Sequence, residues 1–240
     1  MDISSPVRLS PIHYRHIQLG ATMIDEEGWQ RPWTYSTGEK ELDQLCCNVG
    51  LSDVSSIGKI LLQGDGVDML SRSFFTDTDV PNIGVVVTHD LFDRESSFLD
   101  KLLVCRLAQD QLFIITACKR TLSVIEMIQG FREGCIHLVD QTSSFAAMKV
   151  AGPRSSNTLA KLTDLNLTPE FFQDMTCGQS IMANVSAMVV RTDSNHQLCY
   201  DVFVSRDLGE FLWDAIMEAG HEWGIVPFGE EALGYLREGD

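Results

Sequence analysis

The sequence predicts an α+β fold built from two similar units, each a strand, a helix, a hairpin and a second helix. Three regularities carry that expectation. A run that reads as strand, glycine turn and helix start occurs at KILLQGDGVDML (59–70) and again at KVAGPRSSNTLAKL (149–162), with 88 residues between Gly64 and Gly152. An apolar hairpin follows each run, and a helical stripe follows each hairpin. The stripes end at Gly130 and Gly220, an offset that matches the glycine offset within the error of helix boundaries.

Taken in order, the first strand turns at Gly64. Its counterpart turns at Gly152, where Pro153 falls near the first helical turn and its missing N–H costs little. The hairpins are LLVCRL-AQDQ-LFIITA and SAMVVR-TDSNHQ-LCYDVFV, apolar runs separated by polar turns. Leu122, Ile125 and Ile128 form the first helical stripe; Phe211, Leu212, Ala215, Ile216 and Ala219 form the second, with Asp207 as its expected N-cap. Helices on one face of a largely antiparallel sheet follow from this order. The expected division is an N-terminal segment, 1–50, packed on one domain, 51–240, whose interlocked halves are 51–140 and 141–240.

Composition narrows the function. Hydrophobic residues are 44% and charged residues 22%, and no apolar run approaches the roughly 18 residues of a membrane span, so disorder and a membrane partner are both excluded. A net charge of −16 repels phosphate backbones, which argues against nucleic acid. The seven cysteines are an odd number with no C-x-x-C pair, and the N-terminus lacks the basic and apolar regions of a secretory signal. Reduced thiols and a cytoplasmic home are the expectation, with vicinal Cys46 and Cys47 packing as core. The histidines show no H-x-x-x-H or H-E-x-x-H spacing, so no metal site is expected; G-x-G-x-x-G and G-x-S-x-G are also absent.

Two carboxylates stand out because they interrupt apolar strands. Asp100 enters the first hairpin in FLDKLLVC, and Asp201 lies inside CYDVFV. Aspartate is a poor strand former, and burying its charge without partners costs several kcal/mol. At the 88-residue offset Asp100 falls on Met188 and Asp201 on Phe113, so each acid breaks the apolar pattern in one half only. Side-chain alternation puts Asp201 on a face with Cys199 and Phe203. The residues alone leave two readings open, a solvated strand face or a cavity with a polar network.

The segment PIHYRHIQLGATMIDEEGWQRPWTY, followed by GLSDVSSIGKILLQGDGVDML, resembles the N-terminal part of the aminomethyltransferase (glycine-cleavage T-protein) family, with Gly28-Trp29, Pro32-Trp33-Thr34-Tyr35 and the run Gly50 to Gly58 in the places of its characteristic motifs. The likeness continues through VAGPRSSNTL, FLWDAIMEAG and PFGEEALGYLR and covers nearly the whole chain. It implies a tetrahydrofolate-binding fold and one-carbon transfer from a small-molecule donor. By the resemblance, Asp100 is the aspartate beside the folate nitrogens, Asp201 takes the place of the glutamate that holds the pterin, and Leu102 and Arg237 are further binding positions. The pairing is chemically apt: a pterin presents adjacent N–H donors, for which a carboxylate is the natural acceptor.

The chain departs from the family pattern as well. The glycine- and tyrosine-bearing turn of the family is Arg191-Thr192-Asp193-Ser194-Asn195-His196-Gln197-Leu198-Cys199, and the sequence stops at LREGD, where full aminomethyltransferases continue into a C-terminal domain. Two expectations stay open: a fragment of a longer chain, or a short form similar to the small folate-domain subunit of heterotetrameric sarcosine oxidase. Two functions follow as expectations: a tetrahydrofolate-dependent one-carbon transferase or demethylase, or a non-catalytic folate-domain subunit working beside a partner subunit of an oxidase or demethylase.

Overall fold

A computed structural model describes residues 7–75, 81–93, 95–130 and 135–237. Arg94 in the HDLFDRES stretch and Glu238-Gly239-Asp240 of the closing LREGD lie outside the described residues. In chain order the elements are β1 (Arg8–Leu9), α1 (His13–Gln18), β2 (Thr22–Glu26), β3 (Trp29–Thr34), α2 (Gly38–Cys47), β4 (Gly50–Asp53), β5 (Gly58–Gln63), α3 (Val67–Phe74), β6 (Val86–Phe92), β7 (Phe98–Ala108), β8 (Gln111–Thr116), α4 (Thr121–Gly130) and β9 (His137–Asp140). There follow β10 (Phe145–Ala151), α5 (Ser155–Ala160), β11 (Thr176–Met182), β12 (Val185–Arg191), β13 (Cys199–Ser205), α6 (Gly209–Gly220), β14 (Val226–Pro227) and α7 (Glu230–Arg237). No helix among the described residues is long and apolar enough to cross a membrane.

The chain forms two compact units. The first comprises residues 1–55, 145–174 and 179–240; the second comprises 56–144 with 175–178. In the second unit the sheet order is β6-β7-β8-β5-β9, and in the first it is β11-β12-β13-β10-β4-β14. The α+β repeat is thus visible as one strand order used twice, with β4 standing where β9 does. The first unit also carries a small three-stranded sheet, β1-β3-β2.

Both turn glycines are fixed by sterics. Gly64 (φ 141°) and Gly152 (φ 113°) have left-handed backbones, and a Cβ on them would lie 2.1 Å from the Cys135 carbonyl oxygen and 2.2 Å from that of Leu45. Each unit has its own core. Leu51, Val150, Val189, Tyr200, Val202, Val204 and Trp213 belong to the first, and Ile60, Leu62, Leu102, Val104, Ile114, Val124 and Ile128 to the second.

Four local expectations change. Each hairpin is preceded by a strand the pattern did not reveal: β6 carries Thr88, His89 and Asp90, and β11 carries Gly178, Gln179 and Ser180. Both are edge strands with a polar face, where apolar runs are not required. Leu122 is 71% exposed; Val124 and Ile128 are buried in the core, and Ile125 and Met127 of α4 pack against it. Asp207 does not cap α6; it sits in a 3₁₀ turn and accepts a hydrogen bond from Ser205, while Leu208 precedes the helix without a side-chain cap. Cys46 is half-buried and Cys47 exposed. The phase of α2 is set instead by Leu45 and by Glu41, whose carboxylate accepts from the Tyr35, Ser36 and Gly229 amides.

Candidate functional site

Strand β13 alternates its side chains between two buried faces. Tyr200, Val202 and Val204 join the core of the first unit, whereas Cys199, Asp201 and Phe203 take the other face. Asp201 is 4% exposed, so the solvated-face reading does not hold for it. What compensates its charge is Lys149, its direct partner across the β10–β13 ladder. The ammonium lies 2.9 Å from Oδ1 and 3.0 Å from Oδ2, and the side chains are 15% and 6% exposed. Only the Oδ2 contact has hydrogen-bond geometry. Oδ1 is held by Coulombic attraction to the same ammonium and has no hydrogen bond of its own.

Burial works against the Lys149 charge, but the Asp201 carboxylate outweighs it and holds the lysine above its usual range; Arg237, a like charge, works in the other direction. Burial, with Asp201 beside it, pushes the Cys199 thiol up to about 11, so it stays neutral. Arg237 itself closes α7, with about half of its side chain exposed and its guanidinium 3.5 Å from Glu230. Lys149, Cys199, Asp201 and Arg237 therefore form one electrostatic neighbourhood in the first unit.

The turn that departs most from the family pattern is ordered by its own chemistry. Ser194 and Gln197 close a two-residue hairpin loop whose central Asn195 and His196 have φ of 47° and 62°. Two successive left-handed residues match the twist of a tight hairpin, and asparagine tolerates that region well. Arg191 pins the base of the turn by donating to Asp193 and to the Phe172 carbonyl oxygen.

Asp100 sits in the second unit and is 8% exposed. Its Oδ2 accepts from the Thr116 hydroxyl and from the Ala117 amide at 3.0 Å, and Oδ1 accepts from the Lys101 amide at 2.9 Å. This carboxylate ties the end of β8 to the start of β7. Leu102 lies on the same face two residues further on, fully buried among the core of that unit, with no side-chain surface for a ligand. Ladder registers also correct its neighbour's assignment in the repeat. Once β5–β8 and β10–β13 are superposed at 88 residues, β7 falls on β12 at 85, because the second hairpin has the longer turn; Asp100 then matches Val185 and not Met188.

A second polar network lies in the first unit, and the sequence reading did not single it out. The Asp53 carboxylate accepts from His16 Nε2 at 2.8 Å, from the Ser55 amide at 2.9 Å and from the Ser10 hydroxyl, while Tyr35 Oη lies 2.7 Å from His16 Nδ1. Burial alone would raise the Asp53 carboxyl, but the hydrogen bonds from His16, Ser10 and Ser55 hold it below its ordinary value. Burial and the nearby Asp53 and Glu41 charges raise Tyr35, which keeps it a phenol in its hydrogen bond with His16 Nδ1. Part of the signal was present: Tyr35 and Asp53 belong to two of the N-terminal motifs, and His16 lies in the PIHYRHIQLG stretch ahead of them.

Two cavities lie elsewhere. One of about 510 Å³ in the first unit is lined by Tyr35, Lys40, Glu41 and Pro227 among others, and one of about 750 Å³ in the second unit by Phe92, Leu99, Glu126 and Met127 among others. Neither is lined by Asp100 or Asp201.

Residues 12–238 match the sequence model of the GCVT N-terminal domain. An aminomethyltransferase of Halothermothrix orenii is 26% identical over 232 residues, covering 96% of this chain and 64% of its own length. Sarcosine oxidase subunit alpha of a Corynebacterium species (strain U-96) is 26% identical over 256 residues, covering 98% of this chain and 26% of its own. The chain thus spans a little under two thirds of the first relative and about a quarter of the second. Among solved structures, the glycine cleavage system aminomethyltransferase T of Bartonella henselae superposes with a TM-score of 0.84 at 18% identity, covering 96% of this chain and 62% of that one. A chain of the heterotetrameric sarcosine oxidase from the same Corynebacterium strain gives 0.65 at 16% identity, with 90% and 96% covered.

Proposed function

The chain belongs to the GCVT N-terminal domain family, and from that premise we propose that it binds tetrahydrofolate and serves one-carbon transfer or demethylation, with Asp201 as the acceptor for the pterin N–H groups. The observation that carries this reading is the state of Asp201. It is a buried carboxylate on the strand face away from the apolar core, and one of its oxygens accepts no hydrogen bond. A pterin edge supplies the missing donors. Tetrahydrofolate, when bound, contributes the nitrogen that accepts the carbon unit.

Asp100 is the proposed carboxylate beside that nitrogen. Three donors already fix its orientation, and a carboxylate has about four acceptor sites, so one remains for a proton or a developing cation. Arg237 supplies exposed positive charge within electrostatic reach of Lys149 and is proposed as a further folate-binding position. Leu102 has only its backbone to offer.

Titration calorimetry with tetrahydrofolate tests the reading. Micromolar affinity, about −8 kcal/mol, is expected for the unmodified chain, with a loss of at least tenfold in Asp201→Ala. Unchanged affinity in that variant refutes the pterin assignment. Turnover of a one-carbon donor that survives Asp100→Asn at the normal rate refutes the role of Asp100. A second reading, a folate-domain subunit without turnover of its own, draws on the likeness to the sarcosine oxidase subunit. It predicts co-purification with a partner chain, and folate turnover by the isolated chain would argue against it.

A further inference from the structure

We propose that Cys105 and Cys177 form a redox site of the second unit, oxidised by hydrogen peroxide to a reversible disulfide that fixes residues 175–178 to the sheet of that unit. The site is independent of the folate reading.

The two cysteines are 72 residues apart in sequence, and strand pairing brings them together. Residues 175–178 join a unit whose remaining residues all come from 56–144. Met175, with a left-handed φ of 58°, stands at the head of this segment. Its hold on the sheet is the antiparallel bridge of Val85 with Thr176, flanked by two hydrogen bonds. The Val86 amide donates to the Met175 carbonyl oxygen at 2.9 Å, and the Cys177 amide donates to that of Gly84 at 2.8 Å. Cys105 lies across the same stretch, as the register partner of Val86, and the Gly84 amide donates to the Arg106 carbonyl oxygen at 2.9 Å. Gly84 has no side chain to stand between them. Cys177 Sγ accordingly reaches the Arg106 carbonyl oxygen at 3.8 Å, one residue from Cys105, and the two thiols share a hydrogen bond.

The surroundings assign a different part to each sulfur. Burial favours a neutral thiol, and it raises both Cys46 and Cys199. Cys177 moves the other way: its hydrogen bond with Cys105 outweighs burial and holds it below the ordinary thiol range. Cys177 is also the more accessible of the pair, 5% exposed against 0% for Cys105. A water-sized oxidant therefore meets Cys177 first, and Cys105 is the sulfur placed to resolve the product.

The Cys177 thiolate attacks one oxygen of hydrogen peroxide, the O–O bond breaks, and the departing hydroxide takes up the proton that the thiol released. Sulfur is left as a sulfenic acid. The Cys105 sulfur then attacks the sulfenic sulfur, the S–S bond forms, and the hydroxyl leaves with the Cys105 proton as water. Two thiols and one peroxide thus give one disulfide and two waters, with two electrons passing from sulfur to oxygen. A thiol reductant reverses the bond. Once formed, it closes the chain between positions 105 and 177, which restricts the unfolded state and holds 175–178 in the sheet by more than its backbone hydrogen bonds.

The test uses the whole chain, reduced, freed of reductant and treated in the native state with hydrogen peroxide, then denatured in an alkylating agent and mapped by mass spectrometry. A peptide pair joined through Cys105 and Cys177 is expected, released by dithiothreitol, with two of the seven cysteines lost to alkylation. The oxidised protein should melt at least about 4 °C above the reduced one. In Cys105→Ser the unresolved Cys177 should pass on to the sulfinic acid and the rise in Tm should vanish; in Cys177→Ser, Cys105 should remain a thiol. Retention of all seven thiols, oxidation confined to other cysteines, Cys177 over-oxidised without the link, or a link that forms only in denaturant would each overturn the site. A link with unchanged Tm would overturn its hold on 175–178. The peptide map and the melting comparison both use the unmodified protein, so a variant that does not fold leaves the test intact.

Discussion

The rung that carries Leu61 and Phe113 in one unit carries Lys149 and Asp201 in the other, within sheets that share a strand order. Asp100 adds a further contrast: its neighbours are two backbone amides and a hydroxyl, whereas Asp201 is paired with the side-chain cation of Lys149. A carboxylate held by backbone donors is part of the scaffold wherever else it acts. A carboxylate held by an ammonium, with an oxygen left over, is a place where donors can be added.

The largest effect that would sharpen this comparison is removal of one half of the ion pair. Asp201→Ala leaves the Lys149 ammonium buried without its counter-charge, and a loss of about 3–5 kcal/mol is expected in denaturant or thermal unfolding. For a chain of this size that is a fall in Tm on the order of 6–20 °C. A loss below about 1 kcal/mol would mean that water already screens the pair and that the two rungs differ less than their residues do.

Asp100→Asn should be milder. Its replacement keeps one acceptor oxygen but turns an N–H toward donors from Ala117 or Lys101, at a cost of about 1–3 kcal/mol. Should Asp100→Asn be as damaging as Asp201→Ala, the distinction between scaffold and exchangeable carboxylate fails. A smaller step, Tyr35→Phe, removes the hydrogen bond to His16 and is expected to cost about 1 kcal/mol by the same unfolding measurement.

The sequence made the repeat legible because its markers are steric and periodic. Gly64 and Gly152 occupy backbones that no other residue adopts without strain, and both hairpins lie where apolar runs flank polar turns. Edge strands β6 and β11 were not legible, since only one of their faces needs apolar residues. The two acids were visible as exceptions, but not their partners. Thr116 and Ala117 meet Asp100 through strand pairing, and Lys149 meets Asp201 across 52 positions of sequence. Lys149 reads in FAAMKVAG as a charge at a strand end; only the register turns it into a counter-ion. Likewise, Tyr35 and Asp53 lie in separate motifs and His16 ahead of both, and nothing in the sequence indicates that the three touch.

The smallest effect is the most discriminating. Lys149→Met with Asp201→Leu replaces the ion pair by an apolar pair of similar volume, like the one the second unit already uses, and stability near neutral pH should stay within about 1 kcal/mol of the parent or rise. Folate binding should remain lost, which separates the pair's two roles. The pH dependence then identifies the charge responsible. Lys149 is held above its unfolded value, so its contribution is fully present below the unfolded lysine pKa of about 10.4 and is lost as pH rises through the folded value. In that window the unfolded chain has released a proton that the native chain retains, so stability falls with a slope of at most about 1.4 kcal/mol per pH unit for one group. Cys199, pushed up to about 11, titrates in the same range, and both proteins are therefore compared in a Cys199→Ala background. Urea unfolding from pH 9 to 11.5 should show the parent declining more steeply than the double variant above pH 10.4. Parallel curves across the whole range would mean that Lys149 draws no net stabilisation from Asp201, and the pair could not then be the feature that distinguishes the two rungs.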